Sequence, residues 1–288
     1  MLRIGELSRR SGVSAELLRA WERRYGLLQP TRSPGGLRLY SLEDLERVQR
    51  MRQNLAGGLA AAEAAALAVR PGRGGEPEQP AVDAAAARQE LAAALDEFDE
   101  VRAHAVLDEF LATATVDTVV TDLVLPYLHE LGERWELGTA SVAQEHFASN
   151  VLRGRLLGLA RGWGRGFGPL AVLACVPGER HDLGLLAFGL VLRGRGWRIA
   201  YLGADTPLTS LDAATRELDP DLVVLVAVLP DSLEPHLAQI RKIAKRHQLA
   251  LGGAGLTEQG ARRVGAMVLP ADLLAAADEV TRTARRPG

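Results

Sequence analysis

The chain has 288 residues, 24% of them charged and 47% hydrophobic, and a formal net charge of -2, proportions ordinary for a soluble protein of two or three domains with true cores. No apolar run reaches the length of a membrane span and the N-terminus does not read as a signal peptide, so a cytoplasmic protein without a membrane partner is expected. A single cysteine, Cys175, excludes an internal disulfide framework and a cysteine-based zinc site.

The charge is uneven. Residues 1–70 hold twelve arginines and no lysine against seven acidic residues, a net of +5 that leaves -7 for the rest, which points to nucleic acid as the partner of the first segment alone. Residues 4–12 read as a short helix with Ile4, Leu7 and Ser8 on one face and Gly12 as its stop. Ser14 reads as the N-cap of a second helix, with Leu17, Leu18 and Trp21 facing inward. Two short helices joined through Gly12, Val13 and Ser14 make a helix-turn-helix. Arg19, Arg23 and Arg24 on the second suit phosphates and guanine edges in a major groove. Residues 29–40 contain Pro30, Pro34, Gly35 and Gly36, the turn residues of a hairpin wing. Arg32 and Arg38 flank that turn, where arginine can enter a narrow minor groove. Ser41-x-x-Asp44 begins a further helix, running to about Leu55. The alternative, a small helical domain with arginine on its solvated face, is weighed against the agreement of turn, wing and basic helix.

Ser14-Ala-Glu-Leu-Leu-Arg-Ala-Trp-Glu-Arg-Arg-Tyr-Gly26, followed by Pro34-Gly-Gly-Leu-Arg-Leu-Tyr-Ser41, resembles the winged helix-turn-helix of MerR-type regulators. The resemblance implies double-stranded operator DNA as partner, with Arg19, Trp21, Arg23, Arg24, Arg32, Arg38 and Tyr40 as the DNA-binding set. Leu37 stands on the wing where some relatives have His. Such regulators continue into a long dimerising helix, whereas residues 60–69 form a short alanine-rich stretch stopped by Pro71. Heptads are absent, so dimerisation is expected elsewhere.

Residues 71–80 hold three Pro, three Gly and three charged residues, the composition of a hinge. Four helical stretches follow, at about 82–97, 99–112, 116–136 and 140–161, each with an apolar stripe, and predict a four-helix bundle. Trp135 closes the third. Glu145 and His146 lie one turn into the fourth, and Val142 and His146 share a face. Taken alone, the Trp reads as core and the Glu-His pair as solvated surface.

From Leu170 the pattern alternates between strand and helix. Residues 170–175 read as a buried strand, 183–192 as an apolar helix and 199–202 as a second strand. Further strands are expected at 221–229, 249–252 and 267–269, with helices at 232–247, 258–264 and 271–285. This predicts a five-stranded parallel sheet covered on both faces. The loop after the first strand carries Glu179 and His181 at the carboxyl edge, where open α/β sheets bind ligands. By itself it reads as a solvated loop His. With a carboxylate to fix its tautomer, the imidazole is also a candidate metal ligand.

Glu179-x-His181-x-x-Gly184 resembles the Asp-x-His-x-x-Gly signature of cobalamin-binding Rossmann-like domains, with Glu in place of Asp. The resemblance implies His181 as lower axial ligand to cobalt in place of the cofactor's own benzimidazole. It places Gly252 and Gly253 along the displaced nucleotide tail and Asp205 in a loop beside the corrin. Val226 stands where the family commonly has a Ser bonded to the tail, a loss of about 1 kcal/mol if buried and unreplaced.

Trp135-x9-Glu145-His146 resembles the upper-face signature of light-sensing cobalamin regulators of the CarH/LitR type. It implies that Trp135, Val142, Glu145 and His146 line the upper ligand. Glu136 replaces a His that follows the Trp in the light-sensing members. The expectation is therefore a multidomain α and α/β protein. It comprises a MerR-type winged helix-turn-helix (1–70), a linker (71–81), a four-helix bundle capping the cofactor (82–162) and a Rossmann-like five-stranded parallel sheet (168–288). Its function by resemblance is adenosylcobalamin-dependent, light-sensing transcription regulation and not enzymic. A dark homo-oligomer, dimer to tetramer, would hold DNA and release it after photolysis. The alternatives are a regulator that senses cobalamin without light or answers to a protein partner, and a corrinoid methyl-carrier.

Overall fold

The computed structural model describes residues 2–32, 36–56, 61–69, 83–256 and 258–284, and separates a first unit, Met1–Gln79, from a second, Pro80–Gly288. The hinge expected at 71–81 lies outside the described residues, as do Pro34 and Gly35 of the wing turn.

In the first unit α1 (Ile4–Ser11) stops at Gly12, whose φ of 66° lets its N–H reach back to the Ser8 carbonyl. The Ser14 hydroxyl accepts from Leu17 N–H at 3.2 Å and starts α2 (Ala15–Tyr25). β1 (Thr31–Arg32) pairs antiparallel with β2 (Arg38–Leu39). A bridge between Leu2 and Tyr40 ties this wing to the N-terminus. Ser41 and Asp44 exchange side-chain and backbone bonds at 2.9 and 3.0 Å to begin α3 (Leu42–Ala56), and α4 (Ala61–Val69) packs on α2 and α3. Leu7, Leu18, Trp21, Tyr40, Met51 and Ala64 share one core. Leu17, expected to face inward, is 44% exposed, because the inward stripe of α2 runs through Leu18 and Trp21, three apart, and Leu17 falls beside it.

The second unit opens with the bundle. α5 (Ala84–Asp96) and α6 (Glu100–Thr113) are followed by α7 (Val116–Thr118). A π-helical turn, Val119–Val124, carries α7 directly into α8 (Leu125–Glu136), and α9 (Val142–Leu159) completes the four. The sheet follows as β3 (Leu170–Cys175), α10 (Leu183–Gly194), β4 (Arg198–Gly203), α11 (Leu208–Leu218), β5 (Leu222–Val226), α12 (Leu237–Ala244), β6 (Leu249–Gly252), α13 (Glu258–Val264), β7 (Met267–Val268) and α14 (Leu273–Ala284). All five strands are parallel, in the order β4-β3-β5-β6-β7. Every residue of β3 is buried, as a central strand covered on both faces requires.

The structure adds α11 to the expected elements and trims others. β5 ends at Val226, not Leu229: Ala227 N–H still reaches the Gly252 carbonyl of β6, but the Val228 and Leu229 amides turn to a side-chain acceptor. The helix expected at 232–247 is a 3-10 turn, Glu234–His236, leading into α12, since Pro235 lacks the N–H of a regular helix interior. One face of the sheet, with α10 and α14, shares a continuous core with the bundle; α11, α12 and α13 cover the other. Trp163 wedges between bundle and sheet so closely that a Cβ on Gly189 of α10 would lie 2.7 Å from its ring. No described helix is long and apolar enough to cross a membrane.

Candidate functional sites

In the first unit Arg19, Arg23 and Arg24 are exposed along α2, free to meet an anionic surface. Arg38 is exposed on β2 and pairs with Glu22 of α2 at 3.2 Å. The Tyr40 hydroxyl donates to the same carboxylate at 2.9 Å. Burial first, and then the Glu22 carboxylate, push the Tyr40 phenol up to about 12, which keeps it a donor. Trp21 and Tyr40, named with the expected DNA-binding set, are buried in the core of this unit, and the Tyr40 hydroxyl joins Arg38 of the wing on the Glu22 carboxylate of α2. Arg32 belongs to β1, but its side chain is outside the described atoms.

In the second unit the strand order reverses between β3 and β5, which opens a crevice at their carboxyl ends. The loop after β3 carries Glu179 and His181. Glu179 is fully buried. Its Oε2 accepts from the backbone N–H of Val228 at 2.7 Å and Leu229 at 2.9 Å, beyond β5. Its Oε1 accepts from His181 N–H at 2.9 Å and lies 2.5 Å from His181 Nδ1. Burial alone would raise this carboxyl. The donors at His181, Leu229 and Val228 outweigh it and hold the group below the usual carboxylate range. One carboxylate thus staples the two strand ends together and orients the imidazole. Nδ1 is engaged and the ring is 62% exposed, which leaves Nε2 for a ligand.

Asp205, at φ 45°, braces the same loop. Its Oδ1 accepts from Gly178 N–H at 2.7 Å, and its own N–H donates to the Glu179 carbonyl at 2.8 Å. Across the crevice, a Cβ on Gly252 would lie 3.7 Å from Val226 Cγ2, so these two residues stand side by side. Gly253 has φ 108°, and a Cβ there would come within 2.3 Å of the Ala227 carbonyl, so backbone packing demands glycine. Gly184 differs, for a Cβ added to it would meet no protein atom within 4 Å.

Trp135 ends α8 and is 52% exposed; Val142 begins α9 and is 57% exposed. Gly138, at φ 71°, turns the chain between them. Arg134 paired with Asp96 at 2.9 Å, and Gln144 Nε2 donating to the Asp96 carbonyl at 3.3 Å, pin this corner to the end of α5. Glu145 accepts from the Ser149 hydroxyl at 2.7 Å and lies 3.5 Å from His146 Nε2. Val142, His146, Ser149 and Arg153 follow one another at spacings of four, three and four on one face of α9. Sequence reading missed the lower end of that stripe. Arg153 pairs with buried Asp182, which also accepts from the Tyr201 hydroxyl at 2.7 Å. Only the position of Asp182, directly after His181, hinted at it.

Among the described residues no group of three or more His, Cys, Asp or Glu is arranged to hold a bare ion. A cofactor that carries its metal with donors of its own would need a single imidazole from the protein, and His181 has the donor chemistry to supply it. The space beside Gly184 is open, and Trp135 and Val142 leave apolar surface uncovered.

Residues 2–68 match the MerR HTH family regulatory proteins, and residues 87–157 and 169–278 each match a B12 binding domain. The HTH-type transcriptional repressor CarH of Myxococcus xanthus is 38% identical over 241 residues, 81% of this chain and 80% of that protein. The repressor CarA of the same organism is 36% identical over 89% of this chain and 88% of its own length. The Methanosarcina barkeri monomethylamine corrinoid protein superposes over 69% of this chain and 99% of its own with a TM-score of 0.57 at 17% identity, a likeness of fold.

Proposed function

The chain belongs to the family of MerR-type, B12-binding transcriptional repressors that includes CarH and CarA, and from that premise we propose that it is a light-released repressor with adenosylcobalamin as its chromophore. Membership makes it a cobalamin-binding regulator of transcription that acts on DNA.

The observation that carries the reading is His181, with Nδ1 on a buried carboxylate and the rest of the ring open. It would take the lower axial position. Glu179 selects the tautomer that leaves Nε2 bare and raises its basicity. Val226, Gly252 and Gly253 would border the nucleotide tail, with Asp205 bracing the loop and Gly184 leaving room. Trp135, Val142, Glu145 and His146 would flank the upper ligand, the indole as its apolar shield. Adenosylcobalamin supplies a weak cobalt–carbon bond that visible light absorbed by the corrin breaks. The α8–α9 corner is pinned to α5 by polar bonds but leaves Trp135, Leu137 and Val142 exposed, an apolar surface that the upper ligand would cover. In the dark the loaded chain would pair and then form a tetramer through its C-terminal modules. Several winged helices would then hold the operator by avidity. Light would dissolve the assembly and free the DNA.

The test is the size and operator affinity of the adenosylcobalamin-loaded protein before and after green illumination. Both should fall; if both stay unchanged, the light claim is wrong. Glu136, beside Trp135, favours a second reading in which the protein senses cobalamin without light. Dark and illuminated absorption spectra that coincide would select it.

A further inference from the structure

Asp182 occupies the N-cap position of α10, yet its side chain makes no capping bond there. A carboxylate at that position ordinarily takes an orphan amide of the first turn. Here it is diverted. It pairs with Arg153 of α9 and accepts from Tyr201 of β4 at 2.7 Å, with only 4% of the residue exposed. The Tyr201 ring is itself held, edge-on to Trp163 at 5.8 Å. His181 therefore sits between two buried carboxylates with different anchors. Glu179 fastens it to the end of β5; Asp182 fastens it to the bundle.

Arg153 lies on the same stripe of α9 as Val142, His146 and Ser149. His146 and Arg153 are seven residues apart, about 10 Å along the axis. A rotation or slide of α9 that changes the surroundings of His146 therefore also drags the guanidinium on Asp182. We propose that Arg153 and Tyr201 are positioning residues, and that the Arg153–Asp182–Tyr201 bridge couples the packing of α9 to the placement of the His181 imidazole. The inference rests on the cobalamin reading for its consequence, while the bridge itself belongs to the protein without cofactor.

Two measurements separate these levels. The first is amide hydrogen exchange of the full chain without cofactor. Arg153→Met should raise exchange in residues 177–182 about tenfold, as loss of a charge-assisted, partly buried bond implies. Amides in β3 and β5 should stay unchanged, which reports an intact fold. Arg153→Lys should restore part of the protection. Arg155→Met, which breaks the Arg155–Asp108 pair on the same helix, should leave 177–182 alone. Combining Arg153→Met with Asp182→Asn should add nothing to Asp182→Asn, since both act through one link. The second measurement is the absorption spectrum with adenosylcobalamin. Arg153→Met and Tyr201→Phe should lower the fraction of cobalt ligated by imidazole from below. Exchange in 177–182 and a spectrum both equal to wild type in Arg153→Met would overturn the proposal. If wild type and His181→Ala give the same spectrum, the cobalamin ligand reading fails instead, and the exchange result still decides whether the bridge holds the loop.

Discussion

Glu179 and His181 are two residues apart, and the fully buried carboxylate of the first lies 2.5 Å from Nδ1 of the second. The same carboxylate also takes the Val228 and Leu229 amides from beyond β5. Orientation of the imidazole and closure of the switch point are therefore one interaction. The additional methylene of Glu over Asp gives it reach to both sides.

Glu179→Gln tests this directly. The Glu179 carboxylate faces the N–H groups of His181, Val228 and Leu229 and the His181 ring nitrogen, and an amide would turn its own NH2 toward at least one of them. The orphaned donor and lost charge should cost about 2 kcal/mol of stability in the second unit. Cobalamin affinity should fall about 10- to 100-fold, the range for loss of the partner that orients a ligating His. Chemical denaturation without cofactor and titration with cobalamin measure the two effects. A variant that keeps wild-type affinity would show that the staple is structural only.

On the DNA side, Arg19→Ala and Arg23→Ala should each weaken operator binding and lower the slope of log affinity against log salt by about 1 if they contact phosphates. Neither side chain pairs with a carboxylate among the described residues, and Arg23 makes only a long, exposed bond to the Arg19 carbonyl at 3.4 Å, so folding stability should change little. Electrophoretic mobility shifts across a salt series, beside thermal melts, report both.

Tyr40→Phe should act through position instead of contact. The hydroxyl is lost from Glu22, which then holds Arg38 alone, and stability should drop by about 1 kcal/mol. The phenol is pushed from 10.0 up to about 12 in the fold. Its stabilisation is therefore whole below pH 10 and fades as pH climbs through 12. Wild type should lose stability over that window more steeply than Tyr40→Phe. Equal slopes would mean that the fold does not raise the phenol.

The sheet and the bundle were legible because buried parallel strands and amphipathic helices write their own periodicity. The limits of that signal show at β5. The apolar run goes on to Leu229, but the Val228 and Leu229 amides serve Glu179, a partner about fifty positions away that no local pattern records. Trp21 and Tyr40 show a related limit. They belong to the winged-helix string, yet a string does not tell an exposed side chain from one that the fold buries. Asp182 drew no sequence expectation at all, and its bonds to Arg153 and Tyr201 come only from packing a helix of the bundle over the sheet. Leu17 and Leu18 were indistinguishable as apolar neighbours until the helix chose its face.

The two glycines near the crevice make opposite forecasts. Gly253 sits at φ 108° with the Ala227 carbonyl where a Cβ would go. Gly253→Ala should therefore destabilise the protein without cofactor, by about 1–3 kcal/mol for strain of this kind. Gly184 lies in the first turn of α10 with helical neighbours and open space beside it. Alanine is the better helix former by up to about 1 kcal/mol, so Gly184→Ala should hold or raise the melting temperature of the cofactor-free protein. On the proposed reading its methyl would enter the open space at the start of α10, and cobalamin affinity should fall. Stability and binding thus move in opposite directions at Gly184 and together at Gly253. If Gly184→Ala binds cobalamin as wild type does, the corrin does not approach the start of α10.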